Sequence, residues 1–270
     1  MKFSATLLSA ALLTTSAIAA PLTERRAARN AARADARTNR ISRPPFKPDT
    51  KELLKLDGTK HEEYSTNWAG AVLIGTGYTS VTGQFTVPTP KLPAGASSTE
   101  QYCASAWVGI DGDTCSTAIL QTGVDFCIQG SKVTYDAWYE WYPDYAYDFT
   151  GITISAGDVI EVTVTASSKT AGTAVVKNVT TGKSVTHTFT GGVDGDLCEY
   201  NAEWIVEDFE SGGNLVPFVD FGTVTFSNAK ATTGGKSVGP TGSTLMDIKQ
   251  SNVVLTKSSI TSNSVSVSYV

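Results

Sequence analysis

The chain has 270 residues, 41% of them hydrophobic, and its 26 acids against 21 bases give a net charge of −5. From Glu62 onward it carries no arginine, and nine lysines face 21 acids. A region that acidic excludes nucleic acid and anionic membrane surfaces as partners, because phosphate binding relies on clustered Lys and Arg.

The first element is a leader. Lys2 precedes a small-residue apolar run, Leu7 to Ala20, that contains Ala17-Ile18-Ala19. A charged start, a short apolar stretch and an A-x-A site describe a secretory signal peptide, residues 1–19. It is too short to span a bilayer, and no other stretch approaches the roughly 20 apolar residues a span needs. An exported, soluble, extracellular protein is expected.

Residues 20–61 differ in chemistry. They hold all seven arginines (Arg25, Arg26, Arg29, Arg33, Arg37, Arg40 and Arg43), and eleven bases against five acids make the segment +6. The domain beyond it is −12. A solvated linker would satisfy this composition. Behind a signal peptide it reads better as a propeptide, an intramolecular partner that lies on the acidic domain and is later cut away.

Residues 62–270 suit one domain. Period-two alternation recurs in Val159–Thr165, Ser184–Phe189, Val224–Phe226 and Ser264–Val270. Turn signals at Gly157-Asp158, Thr181-Gly182 and Gly234-Gly235 separate such runs, and helical periodicity is nearly absent. The pattern is all-β, an antiparallel sandwich or barrel. Pro88–Ser97 is a turn-rich exposed loop, and Asn178-Val179-Thr180 is a possible glycosylation sequon. Cys103, Cys115, Cys127 and Cys198 read as two disulfides in an exported chain, with three connectivities open. With no C-x-x-C and only His187 in this region, neither metal nor cofactor is expected. The crowd of carboxylates, self-repelling when ionised, predicts a domain more comfortable in acid than at neutral pH.

Most catalytic patterns fail. A Ser-His-Asp triad would need His187, which sits in a Thr/Val strand as a surface residue would. Gln121-Thr122-Gly123 is one residue away from a D-T-G loop, but no second D-T-G or D-S-G supplies the other carboxylate. Gln121 itself is odd: an amide inside the apolar run Ala118–Phe126 costs free energy unless it is hydrogen-bonded or employed.

Alternation assigns the faces. Gln121 and Asp125 oppose Leu120, Thr122, Val124 and Phe126. Trp107, Gly109 and Asp111 oppose Val108 and Ile110, and Trp138, Glu140 and Tyr142 oppose Ala137, Tyr139 and Trp141. Glu203, Ile205 and Glu207 oppose Ala202, Trp204 and Val206. If these strands adjoin, one sheet carries a groove of Trp, Tyr, Gln, Asp and Glu, suited to a ligand. Alternation alone leaves Glu203, Glu140 and Glu207 as equal candidates for a base.

The segments Tyr64–Val72, Cys103–Cys115, Ile119–Gly123, Tyr135–Pro143 and Asn201–Asp208 resemble the fungal glutamic peptidases, the eqolisins. The resemblance runs from leader to C-terminus. It implies a sandwich of two curved antiparallel sheets of concanavalin-like or jelly-roll type. It implies a monomeric, pepstatin-insensitive acid endopeptidase made as a proenzyme, with protein or peptide substrates. By the same resemblance Gln121 and Glu203 form the catalytic dyad. Trp68, Trp107, Asp111, Asp125, Trp138, Glu140 and Tyr142 line or support the cleft, and the disulfides are Cys103–Cys127 and Cys115–Cys198. The Pro88–Gln101 loop is shorter than its counterpart in a two-chain member of that family and lacks its Gly/Tyr-rich insert.

The chemistry accounts for the amide. Peptide hydrolysis needs an activated water and donors for an oxyanion. A glutamine offers both donor and acceptor at every pH, where a carboxylate would repel the oxyanion. The competing reading is a carbohydrate hydrolase or lectin on a similar sandwich. It would use carboxylates two residues apart on one strand, and Ile205 interrupts that series between Glu203 and Glu207.

Overall fold

The computed structural model describes residues 40–45 and 62–270, and among these there are only strands, turns and loops. The leader (1–19) and the rest of the basic segment (20–39 and 46–61) lie outside the described residues.

Two large sheets make the sandwich. The first has nine strands, and at its centre run Thr244–Gln250, Trp68–Ile74, Asn201–Glu207, Gln101–Ile110, Ile119–Gln129 and Lys132–Tyr142, each paired with the next. The second has eight, ordered from Lys183–Phe189 through Ala171–Asn178, Val159–Ser168, Tyr78–Thr86, Thr223–Thr233 and Val265–Tyr269 to Thr256–Ile260, with Lys236–Val238 paired to the fifth. Pairing is antiparallel except where Glu62–Ser65 runs parallel to Thr244–Gln250. A small third sheet joins Arg40–Ile41 to Glu210–Ser211 and Asn214–Leu215.

The core lies between the large sheets, where the alternation puts it. Ala104, Ala106, Val108, Leu120, Val124, Phe126, Trp204 and Val206 meet Val81, Phe85, Val162, Val164, Val224, Phe226 and Val267. Trp204 satisfies its indole by donating to the Thr82 carbonyl of the opposite sheet at 2.8 Å, tying the layers together.

The other face of the nine-stranded sheet is also packed. Trp68, Val72, Trp107, Ile119, Trp138, Ile205 and Met246 form a second buried cluster, with Trp68 and Trp107 edge to face at 4.9 Å. The expected aromatic groove is therefore no open, solvated surface: its three tryptophans are fully buried. Disulfides join Cys103 to Cys127 and Cys115 to Cys198. The first links directly opposed residues of neighbouring strands, and the second pins the loop after Gln101–Ile110 to the residues leading into Asn201–Glu207.

Candidate active site

Strand register builds the site. Glu203 pairs with Gly109, Gly109 with Gln121, and Gln121 with Glu140, so these four residues form one row across the concave face. Two residues along each strand lies the row Ile205, Trp107, Gly123 and Trp138, and beyond it Glu207, Ser105 and Asp125. The faces read from alternation thus adjoin as expected, and pairing supplies the order that alternation could not.

Glu203 and Gln121 stand two strands apart, about 10 Å between backbones, with a residue lacking a side chain between them. That glycine is required. A Cβ on Gly109 would lie 2.9 Å from Glu203 Oε1 and 2.7 Å from a ring carbon of Trp107. Gly123 serves the next row, where a Cβ would stand 2.4 Å from the Ala106 carbonyl and 2.5 Å from the Trp107 Cβ. Alternation marks Gly109 only as a member of a face. Its signal was the gap in side chains between Trp107 and Asp111.

Gln121 and Glu203 are fully buried, and none of their four side-chain polar atoms has a hydrogen-bond partner. Such groups cost free energy and rarely persist without use. Burial pushes the Glu203 carboxyl well above the usual carboxylate range, and Asp111 and Asp113 add to the rise. In this closed environment the charged form of Glu203 is disfavoured.

Asp111 stands beside the site as a support. Its backbone has a φ of 70°, and its carboxylate accepts hydrogen bonds from the backbone N–H groups of Cys198, Glu199, Tyr200 and Asn201 at 2.7 to 3.2 Å. It fixes the approach to the strand that carries Glu203.

Three of the other predicted cleft residues, Asp125, Trp138 and Glu140, meet at a cation, Arg40, that alternation does not single out. Arg40 is buried, and its Nε and Nη2 donate to Asp125 Oδ2 and Oδ1, both at 2.7 Å. Nη2 also reaches Ser105 Oγ at 3.3 Å, and Nη1 lies 3.5 Å from Glu140 Oε2. The guanidinium lies 4.1 Å from the Trp138 ring centroid and 4.4 Å from that of Phe209. Trp138 is oriented by donating to Ser105 Oγ, and Trp107 by donating to Glu207 Oε2. Tyr142 packs at the edge of the tryptophan cluster.

Burial raises the Glu140 carboxyl well above its ordinary value although Arg40 works against it. Burial likewise lifts Glu207 to about 7, again opposed by Arg40. For Arg40, burial disfavours the charge, and Asp125, Glu140 and Glu207 outweigh it.

Two residues fall outside the site. His187 stacks on Tyr139 at 3.9 Å between ring centroids, in the layer facing the other sheet. Asn178 is buried: its amide nitrogen donates to the Thr153 carbonyl and to Asp158, and its oxygen accepts from the Thr181 N–H. The sequon asparagine is a turn-building residue whose amide nitrogen is engaged within the fold, and a glycan would require its extraction.

Such a row, an amide and a carboxyl facing across a gap over a tryptophan floor, can hold a water and an acyl group between donor and base. The chain matches the Peptidase A4 family model over residues 66–269. It is 62% identical to Aspergillopepsin-2 of Aspergillus niger over the whole of both chains. Among solved structures it is similar to scytalido-glutamic peptidase bound to a transition state analog inhibitor, at 44% identity and TM-score 0.70, covering 76% of this chain and 98% of that one. Aspergilloglutamic peptidase from Aspergillus niger matches at 69% identity and TM-score 0.62, over 63% of this chain and 99% of that one. The resemblance to the eqolisins read from the sequence holds: the chain belongs to the Peptidase A4 family and is a glutamic-type endopeptidase.

Proposed function

We propose that the protein is a secreted acid endopeptidase, made as a proenzyme, in which Glu203 and Gln121 form the catalytic dyad. The observation that carries this is the row Glu203, Gly109, Gln121, which offers a base and an amide to one reacting centre.

When the cleft opens to water, hydration lowers the Glu203 pKa from its buried value and restores an ionised fraction. Ionised Glu203 takes a proton from the attacking water as its oxygen bonds to the scissile carbonyl carbon. The carbonyl oxygen then carries the negative charge and accepts a hydrogen bond from the Gln121 amide nitrogen. Glu203 next gives its proton to the departing nitrogen, the C–N bond breaks, and the carboxylate is regenerated. No aspartate pair takes part, so pepstatin leaves the reaction untouched. Residues 1–19 serve as the export signal, 20–61 as the intramolecular inhibitor, and 62–270 as the peptidase, acting as a monomer on protein substrates.

The test is digestion of acid-unfolded haemoglobin at about pH 3 with pepstatin present. Acid-matured wild type should cleave, and a folded Glu203→Gln variant should lose about 10²- to 10⁴-fold in rate. Equal cleavage by the variant would remove Glu203 from the dyad and turn attention to Glu140 and Glu207. Release of reducing sugar without peptide cleavage would favour the carbohydrate reading instead.

A further inference from the structure

The sandwich is closed along one side and open along the other. On the closed side, Thr256–Ile260 is stitched to the nine-stranded sheet. Ile248 N–H donates to Thr256 Oγ1, Leu255 N–H to the Ile248 carbonyl and Ser258 Oγ to the Met246 carbonyl, all at 2.7 to 2.8 Å. The open side ends in Lys183–Phe189, seven residues in unbroken register with Ala171–Asn178. Its outer edge has no strand partner among the described residues. Natural sheets blunt such edges with proline, bulges, charges or very short strands. The nine-stranded sheet does so, ending in the two-residue strands Val253–Val254 and Tyr147–Asp148. Lys183–Phe189 has no proline and no bulge, and its single lysine stands at one end.

Beneath that edge the layers part. A groove runs between Lys183–Phe189 and the outer strands of the nine-stranded sheet, in two stretches of about 360 and 250 Å³. They meet at Tyr139 and His187, whose stacked rings line both. Trp141, Tyr147 and Phe189 wall the larger stretch. Asp144 and Asp194 stand in the larger stretch and Asp148 in the smaller, and among the described residues no lysine or arginine lines either. The groove shares no residue with the row Glu203, Gly109, Gln121 and Glu140. Tyr139 and Trp141 sit on the reverse face of the strand that carries Glu140.

We propose that this edge and groove form a second docking site, which takes an extended stretch of protein substrate bearing lysine or arginine. The stretch adds as a further strand beside Lys183–Phe189, its main chain pairing with the free N–H and C=O groups of the edge. Side chains of an added strand alternate, so every second one drops between the sheets. There a basic side chain lays its aliphatic stem on the aromatic walls and brings its charge to Asp144, Asp148 and Asp194. A neutral sugar fits less well, because a ring face it would stack on is taken: His187 covers Tyr139 at 3.9 Å and an interplanar angle of 8°. That the occupant is a substrate rests on the endopeptidase reading, whereas the match of groove to basic segment stands on its own. A long chain held there meets the cleft as an intramolecular neighbour, which favours unfolded proteins over short peptides.

The test uses the full chain carrying Glu203→Gln, so that binding is read without cleavage. The probes are a decapeptide alternating lysine with threonine, its glutamate–threonine counterpart and maltotetraose. They are added in low salt at about pH 6, above the ordinary carboxylate range. The lysine peptide should slow amide exchange of residues 183–189 at least about threefold and leave Asn201–Glu207 unchanged. Asp144→Asn combined with Asp194→Asn should weaken its binding about fivefold, as should about 0.5 M NaCl. Tyr147→Ala should weaken it about two- to threefold. All three positions are exposed, so the fold should tolerate these changes. Equal binding of the glutamate peptide, or binding that leaves 183–189 unprotected, overturns the site. So does protection by maltotetraose alone, which would mark a sugar site. Protection that grows with protein concentration in the absence of peptide would assign the edge to a second copy of the chain, and overturns it too. If the lysine peptide docks as stated but the acid-matured wild type cleaves no protein at any pH, the groove keeps its basic ligand and the peptidase reading falls.

Discussion

The two faces of the nine-stranded sheet are both buried and are built on opposite principles. The face toward the second sheet is largely apolar, and its indoles are satisfied: Trp204 donates to the Thr82 carbonyl of the second sheet and Trp141 to the Gly195 carbonyl. The concave face mixes tryptophans with Gln121, Glu140, Glu203, Glu207 and Asp125, and leaves the first and third of these without partners. One face minimises free energy. The other stores unfavourable burial where chemistry needs poised groups.

The contrast can be broken from either side. Trp204→Ala should cost about 3–5 kcal/mol of stability by opening a cavity between the sheets. Thermal unfolding of the acid-matured protein would measure it, and the surviving folded fraction should keep its kcat/KM. Gly109→Ala should do the reverse. The fold persists, but the new methyl displaces Glu203 or the Trp107 ring, and kcat should fall by about 10²-fold with KM less affected. A Gly109→Ala enzyme with normal kcat would refute the stated need for space between the dyad members.

Buried carboxyls on and around the nine-stranded sheet also set the response to pH. Glu207 at about 7, Asp208 at about 8 and Asp247 at about 6 are all raised, as are Glu140 and Glu203, burial being the first cause in each. Each binds its proton more tightly folded than unfolded. Their stabilisation is whole below the unfolded carboxyl range of about 4 and is lost as pH rises through 6 to 8. Tm should thus drop by about 5 °C or more between pH 4 and pH 8, and further once Arg40 has been removed. A Tm equal or higher at pH 8 would contradict the burial.

A smaller change tests Asp111. Asp111→Asn leaves one acceptor oxygen where two served four N–H groups, and should cost about 1–3 kcal/mol. Activity should fall with it, because that loop leads into the Glu203 strand. Smallest is Asn178→Gln. It should cost about 1 kcal/mol through the lost turn hydrogen bonds and leave the mass of the secreted protein free of any glycan difference.

Local pattern carried much of this. Alternation assigned Leu120, Val124 and Phe126 to one side and Gln121 and Asp125 to the other, because side chains in a strand must alternate. It could not rank Glu203 above Glu140 or Glu207. All three share the concave face, and only pairing shows that Glu203 looks at Gln121 across a glycine. That order depends on Asn201–Glu207 inserting between strands about a hundred residues earlier, which leaves no local trace. Arg40 was equally hidden. Among seven arginines in a basic stretch, nothing local marks the one that enters the domain, since its partners come from four distant strands.

The Arg40 socket and the parallel strand Glu62–Ser65 are two attachment points of one chain, joined by the sixteen residues 46–61. While those residues are uncut, Arg40 meets its partners as part of the same molecule, whatever the dilution of the protein. A single cut within the tether changes the molecularity: the segment becomes an ordinary ligand that a dilute medium carries away. Latency would then depend on protein concentration for the first time. A concentrated and a dilute solution would then hold different states of the same cleaved molecule.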